Sequence, residues 1–293
     1  FQISEARRTA RLKALDPKKA ETIQLQAKYF DTPDRLLAQD GAALRQRLEG
    51  TRWIQTLKAA GKSHLHRFEH NHNLGELESS PELDLSIYEA IPEAQQILTQ
   101  ALGSDAAALK LTFETDIQRT YRVIQFEDAE IEVCLDVGVV RASGREQTIH
   151  EVEFELKSGS VQSLLAFSFE WVKKYQLWLD VRSKAEMGNL LALEQTVSPA
   201  RFEKEFVLSK KESAAHNLSL LIGQQMQHLL PNIAAISAGV AEQSHIDQAQ
   251  TALEHLQLTL ALFKDWNSNI SDKWAMQLAA FKHQFDHLQH LQH

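Results

Sequence analysis

The sequence predicts an α+β fold in which about eight antiparallel strands are followed by a helical segment. Two observations support this prediction. Before about residue 160, short runs alternate apolar and charged residues, which is the two-residue period of a β-strand. From about residue 200, apolar residues recur every three or four positions, which is the period of an amphipathic helix. The first part is therefore expected to be an antiparallel sheet with helices between some strands, and the tail to be helical.

Neighbouring strands in the first half are predicted to carry cations on one face. Arg45 and Arg47 alternate with other residues, so both side chains point to the same side of their strand. Lys58 ends the next strand, and Arg67 and Glu69 share a face of the strand after it. The predicted elements of this half are a helix over 4–14 and strands over 22–30, 44–48, 53–58 and 65–70.

The later strands are predicted to carry carboxylates in the same way. Asp136 lies on the charged side of one alternating run, and Glu151 and Glu153 share the charged side of the next. Arg119 belongs to the strand that precedes both. The predicted elements of this part are strands over 113–123, 130–136 and 151–157, a hairpin marked by Gly138 and Gly144, and a helix over 160–178.

A row of charged strand faces has two interpretations. In the first, the charged face is solvated and the apolar face forms the core. In the second, the sheet closes with its polar side inward, so that cations and carboxylates meet in one tunnel and helices cover the apolar exterior. Arg-x-Arg and Glu-x-Glu in separate strands favour the tunnel. Clustered carboxylates suit Mg²⁺ or Mn²⁺, and the cations beside them suit a phosphate chain.

The composition limits the classes of partner. The 293 residues carry a net charge of −8, which disfavours nonspecific binding to nucleic acid or to an anionic membrane. The single cysteine, Cys134, excludes an intrachain disulfide and fits a reducing cytoplasm. No apolar run approaches the roughly 20 residues of a membrane span. We therefore expect a cytoplasmic protein whose ligand is a small polyanion held in a local cationic pocket.

Five sequence motifs carry a resemblance to a known family. They are Tyr29–Asp34, Ala43–Arg47, Gln55–Lys58, Ile131–Gly138 and Glu151–Gly159. Together they resemble the CYTH superfamily of triphosphate tunnel metalloenzymes over about residues 1–195. The last motif, in which the Glu-rich strand runs into Leu-Lys-Ser-Gly, looks like the bacterial inorganic triphosphatases.

The resemblance implies an eight-stranded antiparallel tunnel that hydrolyses inorganic triphosphate with Mg²⁺ or Mn²⁺. The residues implied to bind triphosphate are Arg45, Arg47, Lys58, Arg119 and Lys184, and those implied to hold metal are Asp136, Glu151 and Glu153. The charged strand face adds Arg67 as a candidate for substrate binding and Glu69 as a candidate metal ligand. The expected catalytic residues are Glu153 and Lys58. The family also opens with a Glu-x-Glu-x-Lys strand, which is expected before Phe1.

Related activities remain open at this point. Thiamine and nucleoside triphosphates are bound by other members of the same superfamily, so either is an alternative substrate. A noncatalytic module that binds polyphosphate or a nucleotide is the alternative from a different functional class.

The chain is predicted to divide into a CYTH domain over 1–198 and a helical domain over 199–293. The tail resembles the helical CHAD domain, which is associated with polyphosphate binding. Its predicted helix over Asp247–Phe263 nearly lacks the cations of that domain, and residues 201–293 contain seven Lys and Arg against nine Asp and Glu. We therefore expect a degenerate or partial CHAD-like tail that has lost polyanion binding.

Overall fold

One antiparallel sheet organises the first two thirds of the chain. The computed structural model describes residues 1–3, 13–16, 18–63, 66–265 and 268–290. Within these ranges, seven strands lie in the order β4-β3-β2-β1-β5-β6-β7, and every neighbouring pair is antiparallel. The strands are β1 (Glu21–Asp31), β2 (Ala42–Glu49), β3 (Arg52–Ser63), β4 (His66–Glu76), β5 (Lys110–Phe126), β6 (Ala129–Ala142) and β7 (Arg145–Ser158). The predicted α+β class is confirmed.

The number of strands differs from the prediction. In the described part of the chain the sheet has seven strands rather than eight, and β4 and β7 are the ends of an open order. Of the described residues near Phe1, only Gln2 forms β-bridges, one with Glu151 and one with Trp178. Bridges at one residue are too short to count as a strand, so an eighth strand and a closed tunnel are not shown within the described residues. Most of the helix expected over 4–14 lies outside the described residues.

Helices cover the apolar outer face of the sheet. The helices of this part are α1 (Leu36–Gln39), α2 (Pro92–Leu102), α3 (Val161–Tyr175) and α4 (Lys184–Ala192). Phe167 and Trp171 of α3 pack on Ile131 and Val133 of β6, which are fully buried. Burial of each such side chain stabilises the fold by about 1.5–3 kcal/mol. The helix predicted over 160–178 thus corresponds to α3, and its apolar side covers this half of the outer face of the sheet.

The outer face of the other half is covered in the same manner. Leu44 of β2 and Leu57 of β3 are completely buried against Leu37 of α1 and Ala94 of α2. Because side chains alternate along a strand, burying these leucines turns Arg45 and Lys58 to the opposite, inner face. The polar side of the sheet therefore faces away from the covering helices.

The helix α4 lies on the inner face at one end. The side chain of Ser183 caps it by accepting a hydrogen bond from the amide of Glu186 at 3.1 Å. A Cβ atom added to Gly188 would lie 2.5 Å from Cγ of the Phe113 ring, so glycine is required for this close approach. Phe113 in turn stacks on Tyr29 of β1, with ring centroids 4.4 Å apart. The start of α4 is therefore fixed beside the charged inner face.

The turn between β6 and β7 lies further along the chain than Gly138, which the sequence analysis had assigned to this hairpin. Gly138 lies inside β6, where an added Cβ would be 2.7 Å from Cα of Ile117 on the adjacent strand. The turn instead consists of Ser143 and Gly144, whose φ values of 51° and 75° fit a tight hairpin turn. Gly138 thus marks a close approach of two backbones rather than a turn.

The chain divides by its internal packing into one unit over Phe1–Thr196 and another over Val197–His293. The second unit contains α5 (Ala214–Ser237), α6 (Gln243–Leu262) and α7 (Ser268–His290), which confirms the expected helical tail. Its buried apolar cluster consists of Leu229, Ala249, Ala252, Leu253, Leu256 and Phe285. Among the helices that the structure describes, none is long and apolar enough to cross a membrane.

Polar side chains are also buried in this helical unit. Gln225 of α5 donates a hydrogen bond to Thr259 Oγ1 of α6 at 2.7 Å, and His228 Nε2 lies 3.0 Å from Gln248 Oε1. Such pairs satisfy groups that would otherwise be costly to bury, and they fix the alignment of the two helices.

Candidate functional site

Three carboxylates converge on the inner face of β6 and β7. Asp136 and Glu151 are direct cross-strand neighbours, and Glu153 is the next residue on the same face of β7. One carboxylate oxygen from each lies within 4.8 Å of the other two. Asp136 has no exposed surface and Glu151 is buried, whereas Glu153 is exposed. Together they form an acidic cluster, which is hereafter called the carboxylate cluster.

Two cations neutralise the carboxylate cluster from different elements. Arg119 of β5 is the cross-strand neighbour of Asp136, and it donates from Nε and Nη2 to the two oxygens of that carboxylate, both at 2.7 Å. Lys184, the first residue of α4, places Nζ 2.8 Å from Asp136 Oδ2 and 2.8 Å from Glu153 Oε1. Lys184 also forms an ion pair with Glu151. The strand cation and the helix cation therefore share one set of acidic partners.

The two glutamates of the cluster have opposite pKa shifts. Burial raises the pKa of Glu151 to about 7, and the negative charge of Glu153 contributes to the rise. Neighbouring protein atoms partly desolvate the carboxylate of Glu153 and act to raise its pKa, although 46% of the side chain is exposed, but the charges of Lys184 and Arg119 outweigh this and hold that pKa well below its ordinary value. The same carboxylates raise the pKa of Lys184, so its side chain is a permanent ammonium.

A second group of charged side chains lies on the inner face of β2, β3 and β4. Lys58 Nζ lies 2.7 Å from Glu69 Oε2, and Arg45 Nη2 lies 4.0 Å from Glu69 Oε1. Arg47, two residues along β2, forms an ion pair with Glu49. Cations outnumber carboxylates here, and we call this group the cation cluster. It is suited to a polyanion because its residues are held close together with a net positive charge.

The cations of this cluster lie close enough together to affect one another's pKa values. Burial lowers the pKa of Lys58, and the charge of Arg45 lowers it further, even though Glu69 acts in the opposite direction. Burial likewise lowers the pKa of Arg47, again with Arg45 adding to the effect. The Nε atoms of Arg45 and Arg47 are buried without a hydrogen-bond partner. Unsatisfied donors and like-charge repulsion would both be relieved by an anion.

Tyr29 lies on the strand between the two clusters, and the sequence placed it in a family motif but not among the site residues. It is buried on β1 directly opposite Arg45, whose Nη1 donates to its hydroxyl at 3.5 Å. Burial acts to raise the pKa of Tyr29, but the charges of Arg45, Lys184 and Lys58 lower it overall. Tyr29 also stacks on Phe113, the ring against which α4 packs, so the two clusters face the same inner surface of the sheet. The cross-strand pairing with Arg45 is the signal that could have identified it.

The structure brings together most of the residues that the sequence nominated. Within the described residues, the carboxylate cluster with its cations and the cation cluster include Arg45, Arg47, Lys58, Glu69, Arg119, Asp136, Glu151, Glu153 and Lys184. Arg67 is exposed on β4 and joins neither group among these residues.

Glu69 is placed differently from the prediction. It lies outside the three-carboxylate group and is instead the partner of Lys58, its cross-strand neighbour. Asn71 supports it by donating to Glu69 Oε1 at 3.2 Å, and Thr56 donates to Asn71 Oδ1 at 2.7 Å. Glu69 therefore acts as a counter-ion within the cation cluster.

The carboxylate cluster has the donor set for a divalent metal. Hard oxygen ligands at this separation suit Mg²⁺ or Mn²⁺, and a cation between carboxylates relieves their mutual repulsion. In this structure the ammonium of Lys184 makes contact with the same three carboxylates. The three carboxylates therefore fit a divalent metal, and without a metal the ammonium of Lys184 balances part of their charge.

The fold and the site define an antiparallel α+β protein whose inner sheet face carries a cation cluster and a carboxylate cluster. The model of the CYTH domain family matches residues 1–188, and the chain belongs to that family. The chain is also 34% identical over 191 residues to the inorganic triphosphatase of Haemophilus influenzae. That match covers 64% of this chain and 51% of the relative, so the chain spans about half the length of this relative.

Solved structures provide a more distant comparison. A protein from Bacillus halodurans, named as a candidate adenylate cyclase, has a TM-score of 0.46 at 20% identity, covering 64% of this chain and 93% of that one. A protein from Hippeastrum, described as having a dominant triphosphatase activity, has a TM-score of 0.46 at 14% identity, with coverage of 67% and 94%. Similarity at this level carries no argument about the chemistry of the site.

Proposed function

We propose that this chain is a metal-dependent hydrolase of inorganic triphosphate, which it cleaves to diphosphate and phosphate. One observation carries the proposal: a cation cluster and a carboxylate cluster lie on the inner face of the same sheet. The cation cluster is suited to bind a phosphate chain, and the carboxylate cluster is suited to bind a divalent metal. The relationship to an inorganic triphosphatase supports the choice of substrate.

The cations would bind and orient the triphosphate. Arg45 is buried, and Arg47 and Lys58 are held by ion pairs with Glu49 and Glu69, so little side-chain entropy is lost when an anion binds. Arg119 and Lys184 lie beside the carboxylates and would hold the end of the chain that is nearest the metal. Lys58 is proposed to stabilise the negative charge that develops as the phosphoanhydride bond breaks.

The carboxylates would hold the metal and position water. Asp136, Glu151 and Glu153 are the proposed ligands of Mg²⁺ or Mn²⁺, which would supply Lewis acidity and neutralise phosphate charge. Glu153 is the most exposed of the three, and its low pKa keeps it anionic near neutral pH. It can therefore accept a hydrogen bond from the attacking water, and no covalent intermediate with the chain is required.

Phosphate release from tripolyphosphate, measured with malachite green in the presence of Mg²⁺ or Mn²⁺, tests this function. The proposal expects turnover that is lost on chelation and in Glu153→Gln, while the variant retains its circular dichroism spectrum. Thiamine triphosphate and ATP, assayed in parallel, should be cleaved more slowly.

Three other results would lead to different conclusions. Preferential cleavage of ATP or thiamine triphosphate would reassign the substrate. Tight binding of tripolyphosphate with no phosphate release under any metal would make the chain a binding module. Full activity of Glu153→Gln would remove that residue from the mechanism.

A further inference from the structure

The amino group of Lys184 has the contacts expected of a bound cation. Its Nζ lies 2.8 Å from Asp136 Oδ2 and 2.8 Å from Glu153 Oε1, and it is also paired with Glu151. An ammonium has three N–H donors; Glu151 and Glu153 accept hydrogen bonds from it here, and Asp136 is its third ion-pair partner. These are the same three residues that offer oxygens for a metal. Lys184 therefore uses the acidic groups that a divalent ion would need.

A metal and this ammonium cannot both keep those contacts. Two positive charges a few ångströms apart in a partly buried site repel strongly. Each carboxylate oxygen facing Nζ would also have to serve a second cation. Binding of a divalent ion at the carboxylate cluster therefore requires that one of the resident cations withdraw.

Lys184 is the resident cation that can move. Arg119 is held by two parallel hydrogen bonds to Asp136, both at 2.7 Å, and its planar group is fixed in that arrangement. The ammonium of Lys184 is carried on a flexible four-carbon stem, so it can move without a change in the backbone. Its position at the first residue of α4 places a positive charge at the positive end of the helix, which further favours its departure.

The backbone beneath Lys184 is held in place independently of the ammonium. Ser183 caps α4, and Gly188 seats the helix on the ring of Phe113. Withdrawal of the side chain would thus leave the helix where it is, facing the same inner surface as the cation cluster.

We propose that Lys184 is a built-in occupant of the metal site, which balances the charge of the carboxylate cluster until a divalent cation displaces its ammonium. The proposal rests on the metal-dependent function described above and adds a specific exchange step to it. Before the metal binds, the buried Asp136 keeps a second positive partner. After it binds, the ammonium is free to contact a phosphate.

Calorimetric titration of the full chain with Mn²⁺ at pH 8, without any phosphate compound, tests the exchange. Lys184→Met keeps an unbranched side chain as long as the aliphatic stem of lysine and removes the competing charge. We expect it to bind Mn²⁺ about tenfold more tightly than the parent, since no charged hydrogen bonds must be broken first. Lys157→Met is the matched control, because Lys157 pairs with Glu132 and Glu155 on the same strands but does not contact the carboxylate cluster.

The possible results distinguish a failure of the proposed exchange from a failure of the proposed metal-dependent function. Tighter binding in Lys184→Met with little change in Lys157→Met supports the exchange. Equal affinity in all three chains overturns the exchange and leaves the metal-dependent function intact. Equal tightening in both variants overturns it as well, since net charge alone would then explain the result. A lack of Mn²⁺ binding in every chain would contradict the proposed function itself.

A second measurement uses the parent chain and does not depend on the folding of a variant. Acetylation of lysines is followed by mass spectrometry with and without saturating Mn²⁺. Lys184 should be modified faster when Mn²⁺ is present, because its amino group is no longer held by three carboxylates, while Lys157 should change little. An unchanged rate at Lys184 under conditions where Mn²⁺ is bound would contradict the exchange.

Discussion

The ammonium of Lys184 lies 2.8 Å from Oδ2 of Asp136, a carboxylate with no exposed surface. A buried carboxylate is stable only when it is paired and hydrogen-bonded, and Arg119 supplies the other half of that pairing. The two cations come from a strand and from a helix, so the site depends on how α4 is placed as well as on the sheet.

Removal of either arginine of β2 should weaken binding of triphosphate. Arg45→Ala and Arg47→Ala should each cost about 1.5–3 kcal/mol of binding free energy, the value of a charge-assisted hydrogen bond. The melting temperature should change little, because each substitution also relieves repulsion between neighbouring cations. Titration calorimetry with tripolyphosphate in EDTA measures the affinity. Arg52→Ala, which removes an exposed cation from β3, is the control and should bind normally.

Glu69→Gln should increase affinity for tripolyphosphate. The substitution removes the negative charge that competes with phosphate for Lys58 and Arg45, while the amide keeps a similar shape. Affinity for Mn²⁺ should stay at the parent value, because Glu69 lies outside the carboxylate cluster. If Glu69→Gln instead weakens Mn²⁺ binding as strongly as Glu153→Gln does, then the sequence-based assignment of Glu69 as a metal ligand is the correct one.

Gly188→Ala should destabilise the chain and disturb the site. Its Cβ would lie 2.5 Å from Cγ of Phe113, so α4 must shift, at a cost of about 1–3 kcal/mol for overpacking. The shift would move Lys184, and Mn²⁺ affinity should change with it. Gly223→Ala is the matched helical control, since nothing lies within 4 Å of its added Cβ. It should stabilise the chain by about 0.5–1 kcal/mol. Urea unfolding followed by circular dichroism gives both values.

The thiol of Cys134 should be unreactive in the folded chain. Cys134 is 2% exposed, and burial raises its pKa to about 12. The thiolate is the reactive form, so at pH 8 only about one thiol in ten thousand would be ionised. Reaction with a disulfide reagent should therefore be slow in buffer and complete in denaturant, and it should accelerate in buffer as the pH is raised towards 12. Rapid labelling of the native chain at pH 8 would contradict this placement of the thiol.

Strand periodicity predicted which residues form the site better than it predicted how they are arranged. Alternation was sufficient to place Glu151 and Glu153 on one face of their strand and Asp136 on the charged face of its own strand. The register that makes Asp136 and Glu151 neighbours follows from the two-residue turn at Ser143 and Gly144. Assigning Gly138 to that turn hid this register, because glycine is required both in turns and where backbones approach closely.

Other contacts depend on tertiary structure that local patterns do not encode. The role of Glu69 follows from its position opposite Lys58, which is a pairing of two different strands. Lys184 reaches the carboxylates from a helix that begins after β7 and α3, and no local period indicates where that helix packs. Its placement is determined by the contact between Gly188 and Phe113.

The strand order also has a consequence for folding. The cation cluster forms on β2, β3 and β4, and the carboxylate cluster on β6 and β7, and each group of strands is joined by hairpins that can close locally. In the strand order of the described residues, the two groups are joined through β1 and β5, whose hydrogen bond from Thr112 Oγ1 to the carbonyl of Tyr29 joins residues 83 positions apart. Closing so long a loop is slow compared with forming a hairpin. We therefore expect refolding chains to gain most of their strand structure before they gain the ability to bind triphosphate.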